Sequence, residues 1–134
     1  MTTYIDTGAF IARFVVADQF HAQSLILWEE LRTTQEICVT SNHVLDETFT
    51  LLARRVSYGF AAEKARLIYN SGLFQIARTT QDDELSGLSL FEKYADQAVS
   101  FTDCLSFILM KKMNIQKAFS FDRHFSQAGF RLLI

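Results

Sequence analysis

Short apolar runs alternate along this chain with longer segments in which apolar residues return every three or four positions, the pattern of strands alternating with helices. "TYID" (3–6) predicts a strand ending on an acid, and "GAFIARFVV" (8–16) a helix with Phe10, Ile11, Phe14 and Val15 on its apolar side. A second helix is expected over 20–34, with Leu25, Trp28 and Leu31 recurring, and a buried strand in the β-branched "EICVT" (36–40). Residues 41–56 read as a long amphipathic helix with its stripe at Leu45, Phe49, Leu52 and Val56 and with Ser41 or Asn42 as N-cap. Tyr58-Gly59 reads as a break, 61–72 as a helix closing near Gly72, and "LFQIAR" (73–78) as a third strand. Thr80 and Asp83 stand at capping-box spacing at the head of a helix over 80–95. "FTDCLSFILMKKM" (101–113) is apolar nearly all round and so predicts a helix packed on several sides, with Lys111 and Lys112 in its last turn. "KAFSF" (117–121), leading into Asp122, and "FRLLI" (130–134), after a turn containing Gly129, complete the strands. This order favours an α/β fold, a parallel sheet covered on both faces, with its ligand site beyond the carboxyl ends of the strands.

A length of 134 residues, with no Pro, no repeat and no low-complexity stretch, fits one domain over 1–134 with a core of its own. The start "MTTYID" meets a charge too early for a secretory core, and apolar stretches such as "LSFILM" fall far short of the roughly 20 residues that span a bilayer, so a cytoplasmic protein is expected. Cys38 and Cys104 lie far apart without the spacing of a zinc site or redox pair and read as buried free thiols. A net charge of −2 and a pI near 5.9 argue against a broad basic face for nucleic acid. Phosphate chemistry on this chain would need positive charge from another source, such as a metal ion.

Four acids stand out. Asp6 and Asp122 each follow a predicted strand, at the sheet edge where ligands bind, while Glu47 and Asp103 sit in helices with apolar neighbours (Val44 and Leu51; Phe107 and Met110). An unpaired carboxylate is expensive to take out of water, so such acids are paired, hydrogen-bonded, protonated or metal-bound. Each also has an ordinary reading: Asp103 as the acid of a helix N-terminal box begun by Ser100, Asp6 and Asp122 as turn caps, Glu47 as a partner of Arg54 or a distant Lys. The set shifts the balance: four hard oxygen donors, with no matching His or Cys cluster, suit Mg²⁺ or Mn²⁺.

"YIDTGAF" (4–10), "VLDET" (44–48), "SFTDCLSF" (100–107) and "FSFDRHF" (119–125) resemble, in order and spacing, the four acidic motifs of the PIN-domain ribonucleases, and in particular the small VapC-type toxins of toxin–antitoxin pairs. The resemblance extends through "DQFHAQ" (18–23) and Trp28. It implies a PIN-like fold, a twisted, mainly parallel five-stranded sheet flanked by helices. It also implies Asp6, Glu47, Asp103 and Asp122 as catalytic, metal-binding acids, with Thr7 and Thr102 as supporting hydrogen-bond partners. Asp46, Asp96 and Arg123 recur near such motifs, where a solvated or capping role is the default.

The function so implied is metal-dependent hydrolysis of RNA phosphodiester bonds to 5′-phosphate and 3′-hydroxyl products, with Mg²⁺ or Mn²⁺ as cofactor. Arg54, Arg55, Lys111, Lys112 and Arg123 are candidates for backbone phosphate contacts. His21, His43 and His124 are isolated, with packing or surface roles as the default and only His124 near a motif. A dehalogenase-type phosphatase would want an Asp at position 8, which is Gly, and a receiver domain would want an acid where Cys38-Val39-Thr40 stand. A PIN-like module without catalysis, binding RNA or protein, is the alternative. Expected partners are an RNA substrate, a second copy in a homodimer and a cognate antitoxin, with no membrane. Trp28, Tyr69 and Phe74 are candidates for exposed apolar surface, although core packing is the default for each.

Overall fold

The computed structural model describes residues 1–133. Ile134, the end of the strand expected over 130–134, lies outside them. The elements run β1 (Thr2–Ile5), α1 (Thr7–Phe14), α2 (His21–Thr33), β2 (Ile37–Ser41), α3 (Asn42–Arg55), α4 (Tyr58–Asn70), β3 (Phe74–Ala77), α5 (Gln81–Lys93), α6 (Phe101–Lys112), β4 (Lys117–Phe119), α7 (His124–Gln127) and β5 (Arg131–Leu132). The strands form one sheet in the order β3-β2-β1-β4-β5, every neighbouring pair parallel. From β1 the chain steps outward to β2 and β3, then returns past β1 to β4 and β5. Right-handed crossovers therefore lay α1–α4 on one face and α5–α7 on the other. The direction reverses between β1 and β4, and that boundary is where a doubly wound sheet opens a crevice beyond its strand ends.

The elements follow from local chemistry. Ser41 ends β2 and caps α3, its Oγ accepting from the Val44 N–H at 3.1 Å. Thr80 and Asp83 form the full capping box of α5, each side chain taking the other's backbone N–H (3.1 and 2.9 Å). Asp83 also meets Lys112 at 3.1 Å, tying the head of α5 to the tail of α6. Trp28 and Phe74 join the core: Trp28 packs against Phe10, Phe74 and Phe119 at centroid distances of 5.7, 5.8 and 5.1 Å and donates its indole N–H to Ala9 O. Each such aromatic contributes ~2 kcal/mol through burial. Tyr69 stays half exposed. Cys38 and Cys104 are free and buried.

Several expectations shift. Tyr58-Gly59 does not break the chain but opens α4, because Ser57 Oγ caps the Phe60 N–H at 3.0 Å; that helix ends at Asn70, and Gly72 takes the left-handed turn (φ 68°) beyond it. On α2 the inward row is Ser24, Leu27 and Leu31, with Leu25 turned to solvent. Ser24 is tolerated inside because its hydroxyl bonds His21 O of the same helix. Val56 lies past the end of α3 and is half exposed. Ahead of the turn at Gly129 the chain also forms α7, a single turn of helix too short for a period to show in the sequence. Strand β4 stops at Phe119, two residues before the expected end.

Gly87 sets the approach of α5 to α6. A Cβ there would lie 2.6 Å from Leu105 Cδ2 and 3.4 Å from its Cγ, and Leu105 is fully packed. Alanine inside a helix ordinarily gains about 1 kcal/mol over glycine, but overpacking a filled site costs ~1–3 kcal/mol. Gly87→Ala is therefore expected to lower the melting temperature by roughly 3–6 °C. A melt at or above that of the wild type would show that Leu105 yields.

Candidate active site

Asp6 is the first residue beyond β1. Its N–H closes the sheet edge on Phe119 O at 3.0 Å, and its Oδ2 accepts from Ser120 Oγ at 2.7 Å. Ser120 Oγ accepts in turn from the Asp122 N–H at 3.0 Å. One buried hydroxyl therefore bridges the two strand-end acids. β4 ends at Phe119, one residue before this bridge. Asp122 Oδ1 accepts from the His124 N–H at 2.9 Å, fixing the turn into α7.

Asp103 reaches the same place from α6. Its N–H is capped by Ser100 Oγ at 3.1 Å, but unlike Asp83 its carboxylate returns no bond to the cap, so among the described hydrogen bonds the ordinary box reading is half filled. The helix is pinned by a hydrogen bond of 2.8 Å between Ser106 Oγ and the buried Tyr4 hydroxyl, two residues before Asp6. Burial holds that phenol far above its ordinary titration range, so it stays neutral. Glu47, half-buried on α3, completes the group.

All four acids line one cleft of about 960 Å³ at the carboxyl edge of the sheet, beside the β1/β4 boundary. The tightest set is Asp103, Asp122 and His124, whose ligand atoms all lie within 4.8 Å of one another. Among the described residues, no salt bridge involves Asp6, Glu47 or Asp103. The electrostatic consequence is large. Burial, with the charges of Glu47 and Asp122 nearby, pushes Asp6 up to about 6 against the bond from Ser120. Burial, the Asp6 charge and contact with Asp122 push Asp103 up to about 9.

Thr7 lines the cleft with its hydroxyl buried and unbonded. Thr102 lies instead in an adjoining depression with His43, Arg54 and the far side of Glu47. Arg123 stands exposed on the cleft wall, Arg55 is paired to Asp18 at 3.2 Å, and Lys112 is engaged by Asp83. Asp46 is exposed on α3, outside the cleft. His21 and His43 bond Ala12 O and Thr79 Oγ1, as packing histidines. His124 departs from that default: its Nδ1 is 2.9 Å from Asp122 Oδ1 but at an angle that makes no hydrogen bond. Ser120 escaped the sequence reading. Its signal was a hydroxyl two residues before a strand-end acid, the spacing of a side-chain turn.

With this geometry in view, the PIN domain family model matches residues 3–131. The chain belongs to the PIN-domain family. It is 35% identical over 127 residues to the 23S rRNA-specific endonuclease VapC20 of Mycobacterium tuberculosis, covering 95% of this chain and 94% of that one. A VapC ribonuclease of Archaeoglobus fulgidus is 28% identical over 94% of this chain and 80% of its own. The crystal structure of the mycobacterial VapC20, described as a sarcin–ricin loop cleaving toxin, superposes with a TM-score of 0.85 at 32% identity, covering 97% and 96% of the two chains. VapBC2 of Rickettsia felis bound to promoter DNA shares the fold at a TM-score of 0.70 and 12% identity, covering 98% and 97%.

The donors of this PIN domain fit a divalent ion. Carboxylate oxygens with one imidazole are hard-to-borderline ligands. Among the described residues Asp6, Glu47 and Asp103 have no cationic partner, and the unbonded Thr7 Oγ1 and His124 Nδ1 are buried polar atoms at the same place. Without metal, the raised pKa values of Asp6 and Asp103 mean that the fold prefers their neutral forms. Their contribution to stability is complete below pH ~4 and is lost as pH rises, through about 6 for Asp6 and on toward about 9 for Asp103. In EDTA, Asp103→Asn is therefore expected to stabilise the protein by ~2 kcal/mol at pH 7.5, with the gain shrinking toward pH 4.5. Denaturant titrations showing destabilisation at pH 7.5 would contradict this electrostatic picture.

Proposed function

We propose that this PIN domain, a single unit over 1–134, is a Mg²⁺- or Mn²⁺-dependent endoribonuclease and the toxin of a toxin–antitoxin pair. The observation that carries the reading is the convergence of four carboxylates from the end of β1, α3, α6 and the turn after β4 on one cleft, with no cation paired to Asp6, Glu47 or Asp103 among the described residues. Asp6, Glu47, Asp103 and Asp122 would hold the ion, with His124 beside the last two. When bound, it supplies positive charge at the scissile phosphate and lowers the pKa of an attacking water. Ser120 keeps Asp6 and Asp122 in a fixed relation. Thr7 supports from within the cleft and Thr102 from the depression beyond Glu47, while Arg123 and Arg54 receive phosphates on either side of the acids. The identity to a 23S rRNA-specific endonuclease over nearly the full length of both chains supports ribosomal RNA, and its sarcin–ricin loop, as the first substrate to try.

The wild-type protein is expected to cut a sarcin–ricin-loop RNA hairpin in Mn²⁺ and to stop in EDTA. Asp6→Asn and Asp122→Asn should lose about 10²-fold or more while keeping the circular-dichroism spectrum of the fold. A folded Asp122→Asn variant that cuts like the wild type would overturn the assignment and favour a binding module.

The toxin reading also implies a homodimer and an antitoxin as partners. Among the described residues no helix is long and apolar enough to cross a membrane. Ile26, Leu67, Tyr69 and Leu73 leave apolar surface half or more exposed (64, 50, 52 and 68%), which self-association or a bound partner chain would cover. Light scattering at micromolar concentration is expected to give twice the 15.4 kDa chain mass; a monomer throughout would refute the dimer.

A further inference from the structure

One wall of the acid cleft is aromatic, and nothing in the metal chemistry requires it to be. Phe20 and Phe121 both line the cleft, and their rings are stacked, the planes 2° from parallel and the centroids 4.3 Å apart. Phe121 directly precedes Asp122 in sequence, so the stack begins next to the proposed cutting site. Neither ring is fully buried, in contrast to Phe10, Phe107, Phe119 and Phe125 of the core.

The pair is also held in place. The Phe20 N–H donates to Asp18 Oδ2 at 3.0 Å, and the His21 N–H donates to Asp18 O at 3.0 Å, closing the loop before α2 into a fixed turn. Asp18 Oδ1 carries Arg55 at 3.2 Å, which leaves a half-exposed guanidinium on the same cleft. Phe121 is braced edge-on by Phe119 at 5.9 Å and by the close approach of Gly8, whose absent Cβ would sit 3.7 Å from Phe121 Cδ2. Gln19 and Gln127 line the same cleft with amide groups that can donate to and accept from a base edge. A rigid aromatic stack, with a cation and amides around it, offers what unpaired RNA bases use: a flat π surface, a phosphate partner and hydrogen-bonding edges.

We propose that Phe20 and Phe121 form a base-stacking subsite that holds an unpaired nucleobase of the RNA next to the scissile phosphate. This rests on the ribonuclease reading of the same cleft. The subsite selects RNA whose backbone can splay a base outward, as in a loop or bulge, and disfavours continuous duplex, whose bases are stacked on one another.

Two separate readouts test it. In EDTA, where no cutting occurs, sarcin–ricin-loop hairpins carrying 2-aminopurine at successive loop positions are titrated with wild type, Phe20→Leu and Phe20→Trp. Wild type should quench the probe at one position. Phe20→Leu, which keeps apolar volume but has no flat face, should lose that quench and bind about tenfold more weakly; Phe20→Trp should restore both. In Mn²⁺, an abasic nucleotide at the quenched position should slow cleavage by wild type about tenfold and leave Phe20→Leu no slower than on the intact hairpin. Equal quenching and cutting by Phe20→Leu and wild type, loss in Phe20→Leu that Phe20→Trp does not rescue, or a wild type that quenches at no position would each overturn the subsite. Quenching that follows this pattern without any cutting in Mn²⁺ would sustain the subsite and refute the ribonuclease reading, while cutting without quenching would do the reverse.

Discussion

Like charges brought together out of water repel, and this crowding of carboxylates is the constraint on which the rest of the structure depends. Asp6 and Asp103 are buried, Glu47 and Asp122 half-buried, and none of the first three has a cationic partner among the described residues. Such a cluster is tolerated in only two ways: by keeping protons, as the raised pKa values of Asp6 and Asp103 record, or by holding positive charge brought from outside. On the proposed reading, the same geometry that costs stability in the bare protein is what would give the cleft its affinity for a divalent ion. A scaffold that relieved the repulsion with a lysine would be more stable and would have nothing left to bind with.

The scaffold opposes that repulsion with neutral hydrogen bonds rather than ion pairs. Ser120 holds Asp6 and the backbone of Asp122 through one hydroxyl, and the Tyr4–Ser106 bond ties the strand that carries Asp6 to the helix that carries Asp103. Both are buried, where a hydrogen bond is worth more because water does not compete for it. The paired lysines stand away from the four acids: Lys112 with Asp83 between two helices, Lys117 with Glu36 at 2.7 Å toward the amino end of the sheet, and Lys64 with its neighbour Glu63 at 3.7 Å. Lysines thus secure the frame, while among the described residues no cation pairs with Asp6, Glu47 or Asp103.

The fold was legible wherever a pattern had length. α3, α5 and α6 run over several turns with a cap at the head, and residue pattern and cap agree on where each begins. Legibility failed where one residue outweighed the period. Ser57 caps a helix that begins where Tyr58-Gly59 suggests a break, Ser24 holds an inward place that the apolar pattern assigns to Leu25, and β4 ends at Phe119, just before the Ser120 bridge, where its apolar neighbours predict two more residues. In each case a serine hydroxyl satisfied a backbone or carboxylate group locally, which hydrophobicity does not encode. The four acids stand out by their places at strand ends and in apolar helices and match the order of the motifs, and the fold brings them to one cleft. What the motifs do not show is that His124 stands beside Asp103 and Asp122, or that Phe20 stacks on Phe121 from 101 positions away in sequence, along a loop fixed by Asp18.

An acidic protein acting on RNA needs its recognition to come from somewhere other than net charge. With a balance of −2, long-range attraction to phosphate is weak, and the cations that do face the cleft are few: Arg123 on its wall and Arg55 beside Asp18, with Arg54 beyond Glu47. Few phosphate contacts mean little counterion release, so affinity for arbitrary RNA is low and only weakly dependent on salt. Discrimination then falls to features that a generic strand lacks, namely a base already unstacked and a backbone already bent toward the acids. For a nuclease that must spare most cellular RNA this division is favourable. The energy that would have gone into indiscriminate phosphate binding is replaced by stacking on a preformed aromatic wall, and that stacking is gained only by RNA with the right shape.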